Sequence, residues 1–554
     1  AALAAIERKR AQAAQVSAWA DDLMRGQCAA PIREQLYRIL FKPDKNAPEY
    51  KAVVEASRRA QRAPLDLLRA AGAIASPYQF HLRRFLYEHF PRGTAFTDLP
   101  VPDVKEVLPL ADVRAFSIDD SATTEIDDAL SVQGLGQGSV VVGIHIAAPA
   151  LAIAPDSALD RAARERLSTV YMPGHKITML PEATVQRFTL TEGREAPCLS
   201  LYVHLGEAEL EPHRFETRIE RIRVATNLRH DKLDGVITEA SLTGTAPADY
   251  AHAAELAFLF KLARALKARR EQVRGKPETF NRPDYSFHVE RPDGAMPEGD
   301  EPVRITPRVR GAPLDLIVAE AMILANSHWG GWLAEHNVPA IHRSQASLAP
   351  GVKVRMGTKP APHAGMGVSQ YSWATSPLRR YVDLVNQWQI VATARHGRTA
   401  ALAAPFKPRD ATLFSIISSF DAAYAAYNDF QQTLERYWTL RWIEQQQVRE
   451  LEATTMTNGL VRADTLPLVF KAVGCEGLPR GTRVRVALKS FDTLTLEVHA
   501  NLLVRLGEGA STEATPPEPE DDEASTPLAL QLAIDVSEAD APAEAATDAA
   551  AGSA

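Results

Sequence analysis

"SIDDSATTEIDDAL", residues 117–130, places five carboxylates, Asp119, Asp120, Glu125, Asp127 and Asp128, within ten positions. Two readings compete. An acidic loop can use its aspartates as Asx-type caps in a turn. Alternatively, the acids form a cage for a cation. The cage is not of the EF-hand kind, because the D-x-D-x-D-G alternation and its glycine are missing. Spacing alone favours the turn. The flanks argue the other way: Phe116 and Ile118 precede the cluster and Ala129-Leu130-Ser131-Val132 follow it. Carboxylates held between buried segments are tolerable only when a cation neutralises them. Oxygen ligands with no nearby cysteine favour Mg²⁺, with Mn²⁺ possible. The sharpest chemistry for such a cluster is phosphodiester cleavage.

A second stretch, "TSPLRRYVDL" at 375–384, places Arg379 and Arg380 just after Ser376-Pro377. Guanidinium forks match phosphate oxygens two at a time. Taken alone, the stretch reads equally as arginines paired with acids such as Asp383, and that reading wins.

Outward from these stretches the chain divides into segments of distinct character. Residues 1–92 read as short helices, with Pro31 in a first turn and a Ser-Pro start before "YQFHLRRFLYEHF". His81, Arg83 and Arg84 on the last helix suggest a helix-turn-helix or winged-helix unit; a plain helical packing domain is equally compatible. Residues 93–111 are a proline-bearing linker. Residues 112–450 are mixed α/β: "SVVVGIHIA" and "LSLYVHL" are strands, and "LDLIVAEAMILANSHWGGWLAEH" is a long, largely buried helix. Phe420, Tyr424, Tyr427, Leu434 and Trp438 mark an amphipathic helix whose aromatic stripe is core. Residues 455–506 alternate in period two, which predicts a small barrel of OB-fold type. Residues 507–554 have the composition of a disordered acidic tail, with "PLALQLAIDV" as a run that could dock. The fold class is thus a multidomain α+β chain.

The 554 residues carry a net charge of −7, but 12 of the 69 acids lie from Glu508 onward, where there is no Lys or Arg. Residues 1–507 therefore hold 62 cations against 57 acids, a mildly basic body compatible with a polyanionic partner. Three scattered cysteines exclude a zinc or disulfide framework and fit a reducing, cytoplasmic setting. The most apolar run, Val140–Ala154, holds His145 and Pro149 and is too short to cross a bilayer, so no membrane partner is expected.

Taken together, "IDDSATTEIDDAL", "LDRAARERLSTVYMPGHKITMLP", "RPDYSF", "VAEAMILAN", "TSPLRRYVDL" and "LERYWTLRW" resemble, in order, the motifs of the ribonuclease II family, whose catalytic domain is called RNB. The resemblance covers about residues 112–450. It implies that Asp119, Glu125, Asp127 and Asp128 hold Mg²⁺ and position water. It implies that Tyr171 stacks on the 3′-terminal base and Arg379 grips the phosphate at the scissile bond. Glu320 would contact a ribose hydroxyl, and Glu435 would lie near the RNA path. Three positions depart from the pattern: Glu125 stands where the family usually has Asp, His230 where many members have a sugar-discriminating Tyr, and Trp373-Ala374 where many have His-Phe. The helical N-terminus resembles a variant of the family that carries a helix-turn-helix domain in place of cold-shock barrels.

The activity implied is a monomeric, Mg²⁺-dependent exoribonuclease acting on single-stranded RNA from the 3′ end and releasing 5′-mononucleotides. Asp127 and Arg379 would be catalytic, with Tyr171, His230, Glu320, Arg379, Arg380 and Glu435 binding RNA. Two alternatives belong to other classes: an RNB-type RNA-binding protein with weakened catalysis, Glu125 being the lesion, and a helix-turn-helix DNA-binding regulator.

Overall fold

The computed structural model describes residues 2–279, 283–292, 294–308 and 311–508. The run PLALQLAIDV, nearly all of the acidic tail, and Arg282 of RPDYSF lie outside the described residues.

Six helices open the chain: α1 (Ala2–Met24), α2 (Ala30–Glu34), α3 (Leu36–Phe41), α4 (Pro48–Ala60), α5 (Pro64–Ala70) and α6 (Pro77–His89). Proline opens the first turn of α2, α4, α5 and α6, where its missing N–H costs nothing. Ser76 caps α6 by accepting from Gln79 N at 3.3 Å. The stretch PIREQLYRILF breaks at Gln35, and this lets both Ile32 and the Leu36, Ile39, Leu40 set enter one core. No strand, and so no wing, occurs among the described residues up to 92.

The basic residues of α6 divide: His81 is buried, Arg84 is half-buried and Arg83 is exposed. His81 is buried with Nε2 2.9 Å from Thr493 O, and burial holds its pKa down to about 4, so it is neutral at pH 7. The Arg84 guanidinium lies 4.3 Å from the centre of the Phe41 ring. Phe85 stacks on Phe430 at 3.9 Å and Tyr78 packs against Trp438. Leu494 reaches from the far end of the chain into the core of the six helices.

No helix or strand forms over residues 90–114. A five-stranded barrel follows, from β1 (Ala115–Asp119), β2 (Asp128–Gln133), β3 (Ser139–Ala147), β6 (Glu195–Gly206) and β7 (Pro212–Arg229), interrupted by the small hairpin β4 (Val170–Met172) and β5 (His175–Ile177). β1 closes it by pairing parallel to β7. The two strand faces divide the labour. Leu130, Val142, Ile144 and Ile146 pack under the helices α11 (Ala253–Arg274) and α12 (Pro313–Glu335). On the other face, small residues (Ala115, Ala129, Ala147, Cys198) make room for the helix α13 (Tyr381–His396), whose residues 381–393 are all buried. His145 lies on this face between Ser131 Oγ (2.8 Å) and Ser200 Oγ (2.7 Å), its pKa lowered by burial to about 3. Gly143 beside it is sterically required: a Cβ there would come within 2.3 Å of Ser131 Oγ and 2.5 Å of His145 Nε2.

Between these elements run α7 (Ala158–Arg166), α8 (Glu182–Phe188), α9 (His230–Leu233) and α10 (Glu239–Leu242). The hairpins β8 (Asp284–Val289)/β9 (Val303–Arg308) and β10 (His342–Ser344)/β11 (Arg355–Gly357) follow, and then α14 (Ala400–Ala403) and the long α15 (Ala411–Gln445). The chain ends in a second closed barrel, β12 (Glu450–Thr455), β13 (Leu460–Ala463), β14 (Val469–Val473), β15 (Thr482–Phe491) and β16 (Val498–Glu508), in the order β12-β13-β14-β16-β15. The expected small barrel is therefore present, with β14 and β16 parallel.

Candidate active site

The acidic stretch is the connection between β1 and β2. Asp119 ends β1 and Asp128 begins β2, and the antiparallel register Phe116↔Leu130 brings the two strand ends side by side. The loop between them is pinned from outside. Thr189 Oγ1 accepts from Ile126 N (2.8 Å) and donates to Thr124 O (3.0 Å), while Arg229 Nη1 donates to the carbonyls of Asp120 (2.7 Å) and Thr123 (3.2 Å). Both readings of the stretch apply, to different residues. Asp120 accepts from Ala122 N at 2.8 Å and makes the Asx turn. Asp119, Glu125, Asp127 and Asp128 form an acidic floor.

Each acid on the floor has its own environment. Asp127 is 2% exposed; Oδ1 accepts from Leu378 N at 2.9 Å and Oδ2 from Arg379 Nε at 2.8 Å. Burial raises its pKa to about 6, against the lowering effects of Arg379 and the Leu378 amide. Glu125 is 3% exposed; its Oε2 accepts from the Tyr171 hydroxyl at 3.0 Å and lies 3.3 Å from Lys176 Nζ. Burial raises the pKa of Asp119, opposed by Ser117, Arg229, Arg379 and His230. Burial, followed by the charges of Asp119 and Asp127, pushes Asp128 well up. Burial thus disfavours the ionised forms of Asp119, Asp127 and Asp128, and positive charge supplied nearby would offset that cost.

The segment leading into the Tyr171 hairpin is locked to the Arg379 turn by backbone pairing. Thr169 N donates to Arg379 O (2.9 Å), Tyr381 N donates to Leu167 O (2.8 Å), and Ser168 bridges Arg380. The Tyr171 hairpin and the Arg379 turn thus face the floor as one unit. Arg379 Nη2 also donates to Ser376 Oγ at 2.9 Å.

Among the described residues, the trio of metal-ligating atoms within 4.8 Å of one another is Asp120, His230 and Asp231; no three of the four floor acids come so close. The cause is local. Arg379 and Leu378 occupy both oxygens of Asp127, and Tyr171 with Lys176 occupies one of Glu125. The remaining oxygens fit a hard cation: Asp119 Oδ2 and Glu125 Oε1 are buried without a hydrogen-bond partner, and every donor on the floor is a carboxylate oxygen.

Three other expected residues lie in different surroundings. Arg380 makes a two-point ion pair with the buried Asp383 (2.8 Å each), the pairing that the sequence allowed as the plainer reading. Glu320 is 2% exposed and both its oxygens accept from Arg270, so it clamps α12 to α11 and has no oxygen free for a ribose. Glu435 accepts from Gln431 at 3.0 Å on α15, with burial raising its pKa. His230 does border the floor, beside Asp119, with Nδ1 buried and unpartnered. Lys176 and Ser376 were not foreseen, although both stand inside quoted stretches. Their roles depend on a hairpin and a turn that bring distant residues together, and no spacing signals this.

Residues 108–353 and 352–396 match the family model described as RNB domain. An uncharacterized ribonuclease of Synechocystis is 27% identical over 501 residues, covering 84% of this chain and 70% of that protein. The chain spans about half the length of most other curated relatives it matches. The fold is shared with the Dss1 exoribonuclease of Candida glabrata (TM-score 0.66, 19% identity, 88% of this chain and 70% of that one). It is also shared with Mycoplasma genitalium RNase R in complex with single-stranded RNA (0.61, 13%, 77% and 78%). Yeast Ssd1, described as a pseudonuclease, aligns at 0.51 with 14% identity over 75% of this chain and 59% of its own.

Proposed function

Because the chain belongs to the RNB-domain family, we propose that it degrades single-stranded RNA from the 3′ end, using Mg²⁺ or Mn²⁺ and releasing 5′-mononucleotides. The observation that carries the reading is the floor itself, with four carboxylates under one arginine and two buried oxygens lacking any partner.

Asp119, Glu125, Asp127 and Asp128 would hold the cation, and the chemistry it supplies when bound is activation of water and charge stabilisation at the leaving oxygen. Arg379 is oriented by Asp127 and Ser376, and its remaining N–H groups would meet the phosphate undergoing attack. Tyr171 holds Glu125 through its hydroxyl and offers its ring to the terminal base, so that one residue aligns both the acid and the strand end. His230 borders the sugar side of the floor. Arg380 sets the Arg379 turn through Asp383, a positioning role. A ribose contact by Glu320 would require its exchange away from Arg270. A reducing, cytoplasmic setting is our proposal from the sparse cysteine usage of the sequence. No helix among the described residues is long and apolar enough to cross a membrane. The chain would act as a monomer.

A second reading, an RNA-binding protein without turnover, draws on Glu125, which Lys176 and Tyr171 already engage. The DNA-reading alternative draws only on the exposed Arg83, because α6 buries Tyr78, Phe80, His81, Leu82 and Phe85. A time course on 5′-labelled single-stranded RNA, with Mg²⁺ or with chelator, tests the proposal. A ladder shortening from the 3′ end only with the cation supports it. Stable RNA that remains bound would establish the second reading.

A further inference from the structure

We propose that Arg343, stacked on Trp373 beside Arg380, is a binding site for one internal phosphodiester of the RNA strand; the proposal rests on the RNA-degrading reading above. Arg343 is the middle residue of β10, fixed by pairing to Met356 and by its amide donating to Tyr371 O at 2.7 Å. Its guanidinium carbon lies 3.7 Å from the Trp373 ring centre, and that of Arg380 lies 3.9 Å from the same ring. Two like charges share one indole.

They differ in how their charge is answered. Arg380 is neutralised by Asp383, which is fully buried and also accepts from Ser376 N at 2.9 Å. Arg343 donates no side-chain hydrogen bond to any described residue, and no described carboxylate lies within 4.0 Å of it. Asp421, the acid whose charge it feels, is exposed on α15. Burial and the neighbouring Arg380 both disfavour its charge. A guanidinium with five donors, no acceptor and a cation beside it lacks an anion. Stacking on the indole fixes its plane and leaves its edge for a two-point acceptor, the geometry of a phosphate. The site adjoins the floor through the chain, because Arg380 follows Arg379, the partner of Asp127. A phosphodiester there belongs to the strand entering the floor, outside the linkage being cut.

The test is binding of short single-stranded RNA in chelator, so that nothing is cleaved, with one neutral methylphosphonate linkage moved stepwise from the 3′ end. Wild type should lose affinity roughly tenfold at one internal linkage. Arg343→Gln should bind unmodified RNA roughly tenfold more weakly, flatten the salt dependence by about 0.7 in slope, and be indifferent to that linkage. An equal loss at that linkage in wild type and variant overturns the site while leaving the RNA reading intact. Failure of wild type to bind RNA at all overturns both. If Arg343→Gln does not fold, Arg343→Lys replaces it. Lysine keeps a point charge without the fork, so the linkage should matter less than in wild type, and an undiminished effect overturns the proposal.

Discussion

Asp127 and Arg379 stand 252 positions apart and meet through a single 2.8 Å hydrogen bond from Nε to Oδ2, while the amide next to Arg379 fills the other oxygen of Asp127. The acid and the arginine are therefore one unit. Asp127→Asn turns an N–H₂ toward a donor and removes the charge on the floor. It should slow RNA cleavage by on the order of 100-fold or more and leave binding of single-stranded RNA nearly unchanged, read in parallel cleavage and binding assays. Retention of most of the wild-type rate would remove Asp127 from the chemistry.

The raised carboxyl pKa values set a pH dependence. An acid with a folded pKa of about 6, against 3.8 when free, binds more protons folded than unfolded between these values. Its contribution to stability therefore falls as pH rises from about 4 through 6. Cation binding must displace the same proton, so affinity should weaken as pH falls below about 6, by up to roughly tenfold per pH unit. Calorimetric Mn²⁺ titrations at pH 5, 6 and 7 check this, and a flat profile would contradict it.

Lys176 places an ammonium 3.3 Å from Glu125. Lys176→Met removes a like charge from beside the incoming cation, and Mn²⁺ should bind roughly three- to tenfold more tightly. The cation-free protein should unfold at a lower temperature, because Glu125 then loses its counter-charge. Weaker Mn²⁺ binding would mean that Lys176 serves mainly to hold Glu125 in place.

Tyr171 combines two roles that substitution can separate. Tyr171→Phe keeps the ring and loses the 3.0 Å bond to Glu125, so cleavage should slow with the final fragment length unchanged. Tyr171→Ala also loses stacking worth about 1–3 kcal/mol, so the smallest fragment should lengthen. Identical end products from all three proteins would make Tyr171 a support for Glu125 alone.

Leu494 is 1% exposed and fills the core of the N-terminal helices. Leu494→Ala should cost about 2–4 kcal/mol and make residues 2–89 more sensitive to limited proteolysis than the central barrel. Unaltered protease resistance would mean that the helices hold together without the barrel loop.

Much of the floor was legible because its acids are close in sequence and flanked by apolar residues, whereas Arg379 was singled out only through the resemblance of TSPLRRYVDL to a family motif. The partners of these residues were not legible. The Asp127–Arg379 pair, the Glu125–Lys176 pair and the Glu320–Arg270 clamp join residues across loops, a hairpin and two helices. The long, charged β7 went unread because its alternation of Arg and Glu looks like a solvated segment, and only its parallel pairing with β1 makes it part of a barrel. His81 of α6 looked like a surface residue because helix periodicity does not reveal that the barrel loop covers it.

The contact between His81 and Thr493 spans 412 residues, and it sets a timetable for biosynthesis. The six helices emerge from the ribosome well ahead of Leu494, the residue that completes their core. At usual elongation rates of about 5–20 residues per second, the helices wait roughly 20 to 80 s with that apolar surface uncovered. A nascent chain in that interval is a substrate for chaperones and proteases, and a message truncated before the second barrel would yield a protein whose six helices never close their core.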